Sequence, residues 1–448
     1  MVEPPTGAFV GVAELGAAYR SGATTPLAVA EAAMARIEAL EPRLNAVIDL
    51  MRGPALRAAE AATRELRAGR DRGPLHGVPV AIKDLVDIAG LPTGYATRAV
   101  DPVVAVADAA LVRHLREAGA VPLAKTNLLE FAYGIAHPEI GQTNNPWDVN
   151  RTSGGSSGGS AALVAAGAVP VAVGTDTGGS IRIPASYCGI VGFKPSYGLV
   201  STEGVFPLSW SLDHAGPLAR SVADAATLLS GLVGRAIVAQ RRPLAGLRIG
   251  LVRAHLDSRL VTAGVREAVS AALDRLGRGG ATLVPVSVPE IDAVNGALVT
   301  ILKPEAALAH ESLVSARPDG YAPGTRAQLE AGRRVSGIDY VRAQRFRARL
   351  TRAVEALFED VDLLLSPAVG FVAPAEDPVI QGGDGDGEML SSGLANVTGH
   401  PAISLPCGFS DGLPVGLQLI GPGGRDADLL SGAAAVEAGL AFSGRPRL

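Results

Sequence analysis

The sequence predicts an α/β protein: a single large domain on a central mixed, twisted β-sheet, covered by helices on both faces. Three observations carry that expectation. Short runs of Val, Leu and Ile alternate with longer helical patterns along the whole chain. Apolar residues make up 48% of the 448 residues and aromatics only 4%, so a large core must be packed from Ala, Val and Leu. No internal repeat and no sharp linker divides the chain, so residues 1–448 read as one domain, with the chemistry-bearing core at 73–220 and further sheet and pocket segments at 245–435.

The elements follow in order. Thr25-Pro26 gives a hydroxyl cap and a proline at the first helical position, opening a helix through Leu40 with Val29, Ala33 and Ile37 on one face. Arg52 to Arg70 reads as a second, solvated outer helix. Val78 to Ile82 is a short apolar strand that ends in Lys83-Asp84, and Val121 to Ala124 is another, after which Lys125-Thr126-Asn127 begins a loop and helix. An ammonium at the end of a buried strand is unusual, because its desolvation is costly unless it is paired or neutral. Further strands are expected at Leu247–Val252, Ala281–Val286, Val361–Leu365, Ile403–Leu405 and Leu417–Ile420, the last two joined through Gly412-Leu413-Pro414. Helices fall at Ala107–Ala118, Ser221–Leu232 and Ala263–Leu276. Ala327 to Phe358, rich in arginine, reads as a solvated outer layer, Ala236 to Pro243 as a surface link, and Gln381 to Gly387 as a mobile stretch.

The chain is organised around Arg151 to Tyr197. Two clusters, Gly154-Gly155-Ser156-Ser157-Gly158-Gly159 and Thr177-Gly178-Gly179-Ser180, bracket an alanine-rich helical start and a strand at Val171-Ala172-Val173. A helix followed by a strand returns the second cluster to the edge where the first began. Ser156 and Ser180, 24 positions apart, are therefore expected in one site.

Composition excludes several classes. The net charge of −4, from 40 basic and 44 acidic residues, points away from nucleic acid and membrane surfaces as partners. Two cysteines and seven scattered histidines without HExxH give no disulfide framework and no metal site, and no cofactor motif is present. No targeting segment or membrane span is seen, so the expectation is a cytoplasmic monomer or homodimer acting on a small molecule. Gly154-Gly155-Ser156-Ser157-Gly158 also fits the G-x-S-x-G nucleophile elbow, with His214, His310 and His400 downstream as candidate bases. A Walker A loop lacks its Lys-Ser/Thr ending.

The stretch GGSSGG, then GTDTGGSIRIPASYCGIVGFKP, with GVPVAIKD upstream, resembles the amidase signature family. SLDHAGPLARSVADAA, DVDLLLSP and NVTGHPAISLPCGF followed by GLPVGLQLIG are similar to the family's later segments, so the resemblance covers roughly Leu27 to Leu430. It implies a Ser-Ser-Lys triad: Ser180 as nucleophile, Ser156 as bridging serine on a cis peptide, and Lys83 as the base. It implies an oxyanion hole from the backbone N–H groups of Thr177, Gly178, Gly179 and Ser180, with Ala132, Tyr133 and Ser157 at the substrate. Ser157 is also expected to support the backbone network. Such a triad needs a neutral lysine, and burial at a strand end lowers the pKa in that direction.

Asp176 and Arg182 are expected to form an internal ion pair, Cys188 to be a buried small hydrophobe, and His400 and Cys407 to pack near the site. The family's amidotransferase members recognise glutamine through an arginine and an aspartate; Gln328 and Met389 fall at those places here. That departure favours a stand-alone hydrolase of small to medium apolar or aryl amides, with anilides, esters and carbamates open to the same acyl-enzyme route. The alternatives are a scaffold protein on the same fold and one component of a multi-subunit, glutamine-dependent amidotransferase. The pocket is expected around Tyr133–Glu139, Phe206–Trp210, Leu302–Leu313 and Phe371–Met389.

Overall fold

A computed structural model describes residues 8–240, 242–378 and 384–448. Eleven strands form one mixed sheet: β1 (Val47–Leu50), β2 (Pro79–Lys83), β3 (Val121–Thr126), β4 (Val171–Asp176), β5 (Val191–Lys194), β6 (His214–Ala219), β7 (Arg248–Val252), β8 (Thr282–Val286), β9 (Leu363–Pro367), β10 (Ala402–Ser410) and β11 (Leu413–Ile420). Their order across the sheet is β1-β3-β2-β4-β6-β5-β10-β11-β9-β7-β8. The strands of the second half thus join the same sheet as those of the first, as the strand–helix alternation implies. β2 runs parallel to both β3 and β4, β7 runs parallel to β8 and β9, and the pairs between these groups are antiparallel.

Both faces of the sheet are buried, which is why its central strands read as unbroken apolar runs rather than alternating ones. Val171 and Val173 of β4 enter one core with Val80, Ile82, Val191 and Phe193, while Ala172 enters another with Ala81, Leu123 and Ala161. A third core lies over the other half of the sheet, around Leu298, Ile301, Leu364 and Leu394. One cluster of rings, Tyr95, Phe131, Phe206, His310 and Tyr321, packs stacked, tilted or edge-on with centroids 4.5–5.8 Å apart.

The helix opened by Thr25 runs Pro26–Leu44, and Thr25 accepts from the Ala28 N–H at 3.2 Å. Four expectations need correction. Lys125 and Thr126 extend β3 instead of opening a loop, because Lys125 is buried and its Nζ pairs with Asp84 Oδ1 at 2.9 Å. The last two strands are longer, Ala402–Ser410 and Leu413–Ile420, and the turn between them is Asp411-Gly412, both with positive φ (51° and 77°). An Asp-Gly pair is a strong hairpin signal for that reason. Ala327–Phe358 is two helices, Pro323–Gly332 and Gly337–Leu357, and the second buries Ala343, Phe346, Leu350 and Val354 at helical spacing. The arginines hide that apolar stripe in a count of composition. The solvated outer helix at Arg52 ends at Arg67 and packs Ala55, Ala59 and Ala62 inward, against the helix before it. Of the stretch expected to be mobile, residues 381–383 lie outside the described residues, and Asp384–Gly387 is a single 3₁₀ turn.

Candidate active site

β2 and β4 are parallel neighbours, with Ile82 opposite Val173, so Lys83 and the loop after Asp176 leave the sheet on the same edge. In open sheets that carboxyl edge is where ligands bind. The helix Gly158–Ala165 runs back into β4, which sets its first turn, and Ser156-Ser157 before it, at that edge too. The two glycine–serine clusters are tied directly: the Ser157 N–H donates to Ser180 O at 3.2 Å. The Gly155–Ser156 peptide is cis.

The three side chains expected to act together sit at graded depth. Lys83 is fully buried, Ser156 is 1% exposed, and Ser180 is half-buried and lines a cavity together with Ser156. Lys83 Nζ lies 2.7 Å from Ser156 Oγ, 2.8 Å from Thr175 Oγ1 and 3.0 Å from Ser157 Oγ. Ser157 Oγ donates to Thr175 O at 3.1 Å and accepts from the Thr175 N–H at 3.2 Å. With its only proton committed, Ser157 can only accept from Lys83. It faces the amine, and among the described residues lining the cavity it is not found. An added Cβ on Gly174 would fall 2.8 Å from Ser157 Oγ, so only glycine leaves that hydroxyl in place.

Burial pushes the Lys83 amine down to about 7, against the charges of Asp176 and Asp213, which act to raise it. Among the described residues no carboxylate pairs with Nζ, and its three partners are hydroxyls. Asp176 instead faces the second cluster. It accepts from the Gly179 N–H at 2.9 Å and the Ile181 N–H at 3.2 Å, and pairs with Arg182 through Nη2 at 2.9 Å and Nε at 3.0 Å, both residues fully buried. Burial would raise its pKa, but the adjacent guanidinium outweighs burial and holds it well below the carboxylate range. Arg182 also donates to Gln418, Asn396 and Ser392, which ties the turn that carries Ser180 to β11 and the helix Ser392–Thr398. The expected ion pair is thus the hub of a buried network.

Because Asp176 takes the Gly179 N–H, that group is committed; the N–H groups of Thr177, Gly178 and Ser180 have no partner among the described residues. Gly179 holds φ at +135°, a conformation that frees it to turn this way, and an added Cβ would meet Ser392 Oγ at 2.7 Å. Thr177 is fixed from behind by Asp213, which accepts its hydroxyl at 2.6 Å and the N–H groups of Leu208 and Ser209. Burial raises Asp213 to about 7 despite those bonds.

The cavity wall is apolar on one side: Ile183, Leu208, Leu298, Leu302 and Met389. Ala132 and Tyr133 line it as expected; Ala132 has φ of +63°, and Tyr133 O accepts from Gln328 Nε2 at 3.3 Å. Gln328 and Met389 both reach the cavity. All four expected pocket segments contribute, through Tyr133 and Gly134, Leu208, Leu302 and Lys303, and Asp377 with Glu388 and Met389. The sequence reading missed Leu298 and Val299, which precede the expected segment by one helical turn on Val294–Ala309. The chain has four lysines against 36 arginines; Lys83, Lys125 and Lys194 are fully buried, and the fourth, Lys303, is half-buried on the cavity wall.

His400 and Cys407 are buried packing residues that do not line the cavity: His400 Nε2 pairs with Glu355 at 2.7 Å, and Cys407 packs under the helix Ala263–Arg278. The histidines offered by an elbow reading are likewise occupied elsewhere. His214 Nδ1 meets Leu212 O at 2.6 Å, and His310 Nδ1 meets the Tyr321 hydroxyl at 3.0 Å. Cys188 is buried, and burial pushes its thiol well up, as befits a packing residue. Among the described residues no cluster of three potential metal ligands occurs, and no helix is long and apolar enough to cross a membrane.

The relatives of the chain place it among the amide hydrolases. The amidase family model matches residues 28–430, and the chain belongs to that family, whose members carry the amidase signature. It is 40% identical to an amidase of Pseudomonas putida over 86% of each chain. It is 38% identical to a glutamyl-tRNA(Gln) amidotransferase component of Anaeromyxobacter dehalogenans over 96% of each. A crystal structure of an amidase superposes with a TM-score of 0.89 at 39% identity, covering 96% of this chain and 99% of the other.

Proposed function

We propose that the protein hydrolyses linear carboxylic amides through an acyl-enzyme on Ser180, relayed by Ser156 to Lys83. The observation that carries this is the 2.7 Å approach of a buried, easily deprotonated Lys83 to Ser156, beside a cavity that Ser180 lines. Ser180 Oγ attacks the carbonyl carbon, its proton passes to Ser156, and the Ser156 proton passes to neutral Lys83 Nζ. The negative carbonyl oxygen is met by the N–H groups of Thr177, Gly178 and Ser180, while Gly179, held by Asp176, shapes the turn. Each such donor contributes on the order of 100-fold in rate. Collapse breaks the C–N bond, the departing nitrogen takes the proton back along the relay, and water then hydrolyses the ester by the same route. Ser157 and Thr175 keep Lys83 in line with Ser156.

The apolar wall supports small to medium apolar or aryl acyl or amine groups, and the acyl-enzyme route extends to anilides, esters and carbamates. Likeness to an amidotransferase component keeps a glutamine-dependent transfer role as the second reading. Gln328 and Met389 on the cavity wall weigh against it, since they stand where the amidotransferase members have an arginine and an aspartate. Purified protein should be assayed against aryl amides, aliphatic amides, p-nitrophenyl esters, aryl carbamates and glutamine, with Ser180→Ala as blank. Ser180-dependent turnover of aryl amides supports the hydrolase. Ammonia release from glutamine alone would support the transferase reading instead.

A further inference from the structure

The catalytic cavity has a second polar feature that the relay does not use. Asp377 and Glu388 both line it, opposite in character to its apolar wall. Among the described residues each carboxyl accepts one side-chain hydrogen bond: Thr152 Oγ1 donates to Asp377 Oδ2 at 3.0 Å, and the Tyr187 hydroxyl donates to Glu388 Oε1 at 2.8 Å. Glu388 is 5% exposed. Asp377 is partly exposed as a residue, yet its Oδ1 is sealed from solvent and has no hydrogen-bond partner among the described residues. A buried acceptor without a donor is costly, so its persistence in a ligand cavity points to a donor brought by the ligand.

The anchors are informative. Thr152 also accepts the Gly154 N–H at 2.9 Å, two residues before Ser156, and Tyr187 lies on the helix Arg182–Cys188 that follows Ser180. The carboxyl pair is therefore built on the segments that set both serines, at a fixed place relative to the reacting carbonyl. The one cation on the cavity wall among the described residues, Lys303, is half-buried and borders the adjoining open groove as well, where solvent screens it.

We propose that Asp377 and Glu388 form a subsite for a positively charged nitrogen, so that the preferred amides carry a primary ammonium group in addition to the scissile bond. This rests on the amide-hydrolase reading above and names the substrate class within it. Burial raises both carboxyls, Asp377 to about 6, and the charge of Asp377 raises Glu388 further; a bound ammonium would relieve that repulsion. The same ammonium in a cavity without them would remain unpaired and would be rejected.

The test compares matched p-nitroanilides at pH 8, one with an ω-ammonium on the acyl chain and one with a methyl group in its place. A second pair places the ammonium on the leaving amine. The wild type should favour one ammonium substrate over its isostere by about 10-fold or more in kcat/KM, the range of a charge-assisted hydrogen bond. Asp377→Asn and Glu388→Gln should each shrink that ratio by a similar factor, with thermal melting checking that each variant is folded. Ser180-dependent cleavage of the neutral isosteres with no ammonium preference, or a preference that both variants keep, overturns the subsite and leaves the hydrolase reading intact. Absence of Ser180-dependent cleavage of every substrate would instead strike the hydrolase reading.

Discussion

Lys83 gives the most searching prediction, because its role depends on being neutral. In water a lysine titrates near about 10.4, so at pH 7 roughly one in 2,500 is neutral. Burial among three hydroxyls brings Lys83 to about 7, which makes about half of it neutral at the same pH. Burial thus multiplies the competent form of the proposed base about a thousandfold. The profile of kcat/KM against pH, which reports the free enzyme, should show one rising limb with a midpoint near 7 and a plateau above about 8. Asp213 also titrates near 7, so the limb must be assigned. An amine has a large heat of ionisation and a carboxyl a small one, so warming from 15 to 35 °C (about 20 °C) should move an amine's midpoint clearly downward. Lys83→Ala should lose about 1,000-fold or more in kcat/KM and lose the limb with it. A midpoint near 10, a midpoint indifferent to temperature, or an alanine variant within 10-fold of wild type would refute the reasoning.

Further outcomes follow from the same geometry. The folded pKa of Lys83 lies below its unfolded value, so the unfolded chain binds more protons between about 7 and about 10.4 and stability rises with pH across that window; Lys83→Met should remove up to about 1.4 kcal/mol per pH unit of that slope in urea titrations. Asp176→Asn leaves Arg182 charged and buried, and should cost about 3–5 kcal/mol in unfolding free energy; a loss under 1 kcal/mol would mean the network is not held by that charge. Gly174→Ala drives a methyl against Ser157 Oγ and should cut kcat by about 10-fold or more, with KM little changed. Thr177→Val removes the 2.6 Å bond to Asp213 and should lower kcat more than it raises KM, a split that steady-state kinetics reads directly.

Much of this site can be read before any coordinate, because glycine and serine clusters leave few conformational choices. The helix-then-strand pattern between Ser160 and Val173 is enough to bring Ser156 near Ser180, and the oddity of Lys83 at a strand end marks the base proposed above. The Asp176–Arg182 pair is legible from two opposite charges in an apolar, glycine-rich run. What escapes is anything decided by distant packing. Lys125 extends its strand only because Asp84, far off in sequence, neutralises it. The amphipathic face of Gly337–Leu357 is masked by its arginines. That Gly179 gives its N–H to Asp176 depends on a positive φ that no residue pattern specifies. Asp377 and Glu388 draw no notice because two acids in a glycine-rich stretch look like solvated loop.

The sparing use of lysine has a practical side. With Lys83, Lys125 and Lys194 shut away from solvent, an amine-directed reagent meets Lys303 as the accessible lysine side chain. Apart from the α-amino group, coupling that scatters over the lysines of most enzymes would converge here on Lys303, on the cavity wall. Resin attachment through lysine would therefore tend to obstruct turnover, and arginine- or carboxyl-directed tethering suits this protein better. Conversely, a single reporter attached at Lys303 would watch ligands come and go, and a bound ligand should slow its attachment.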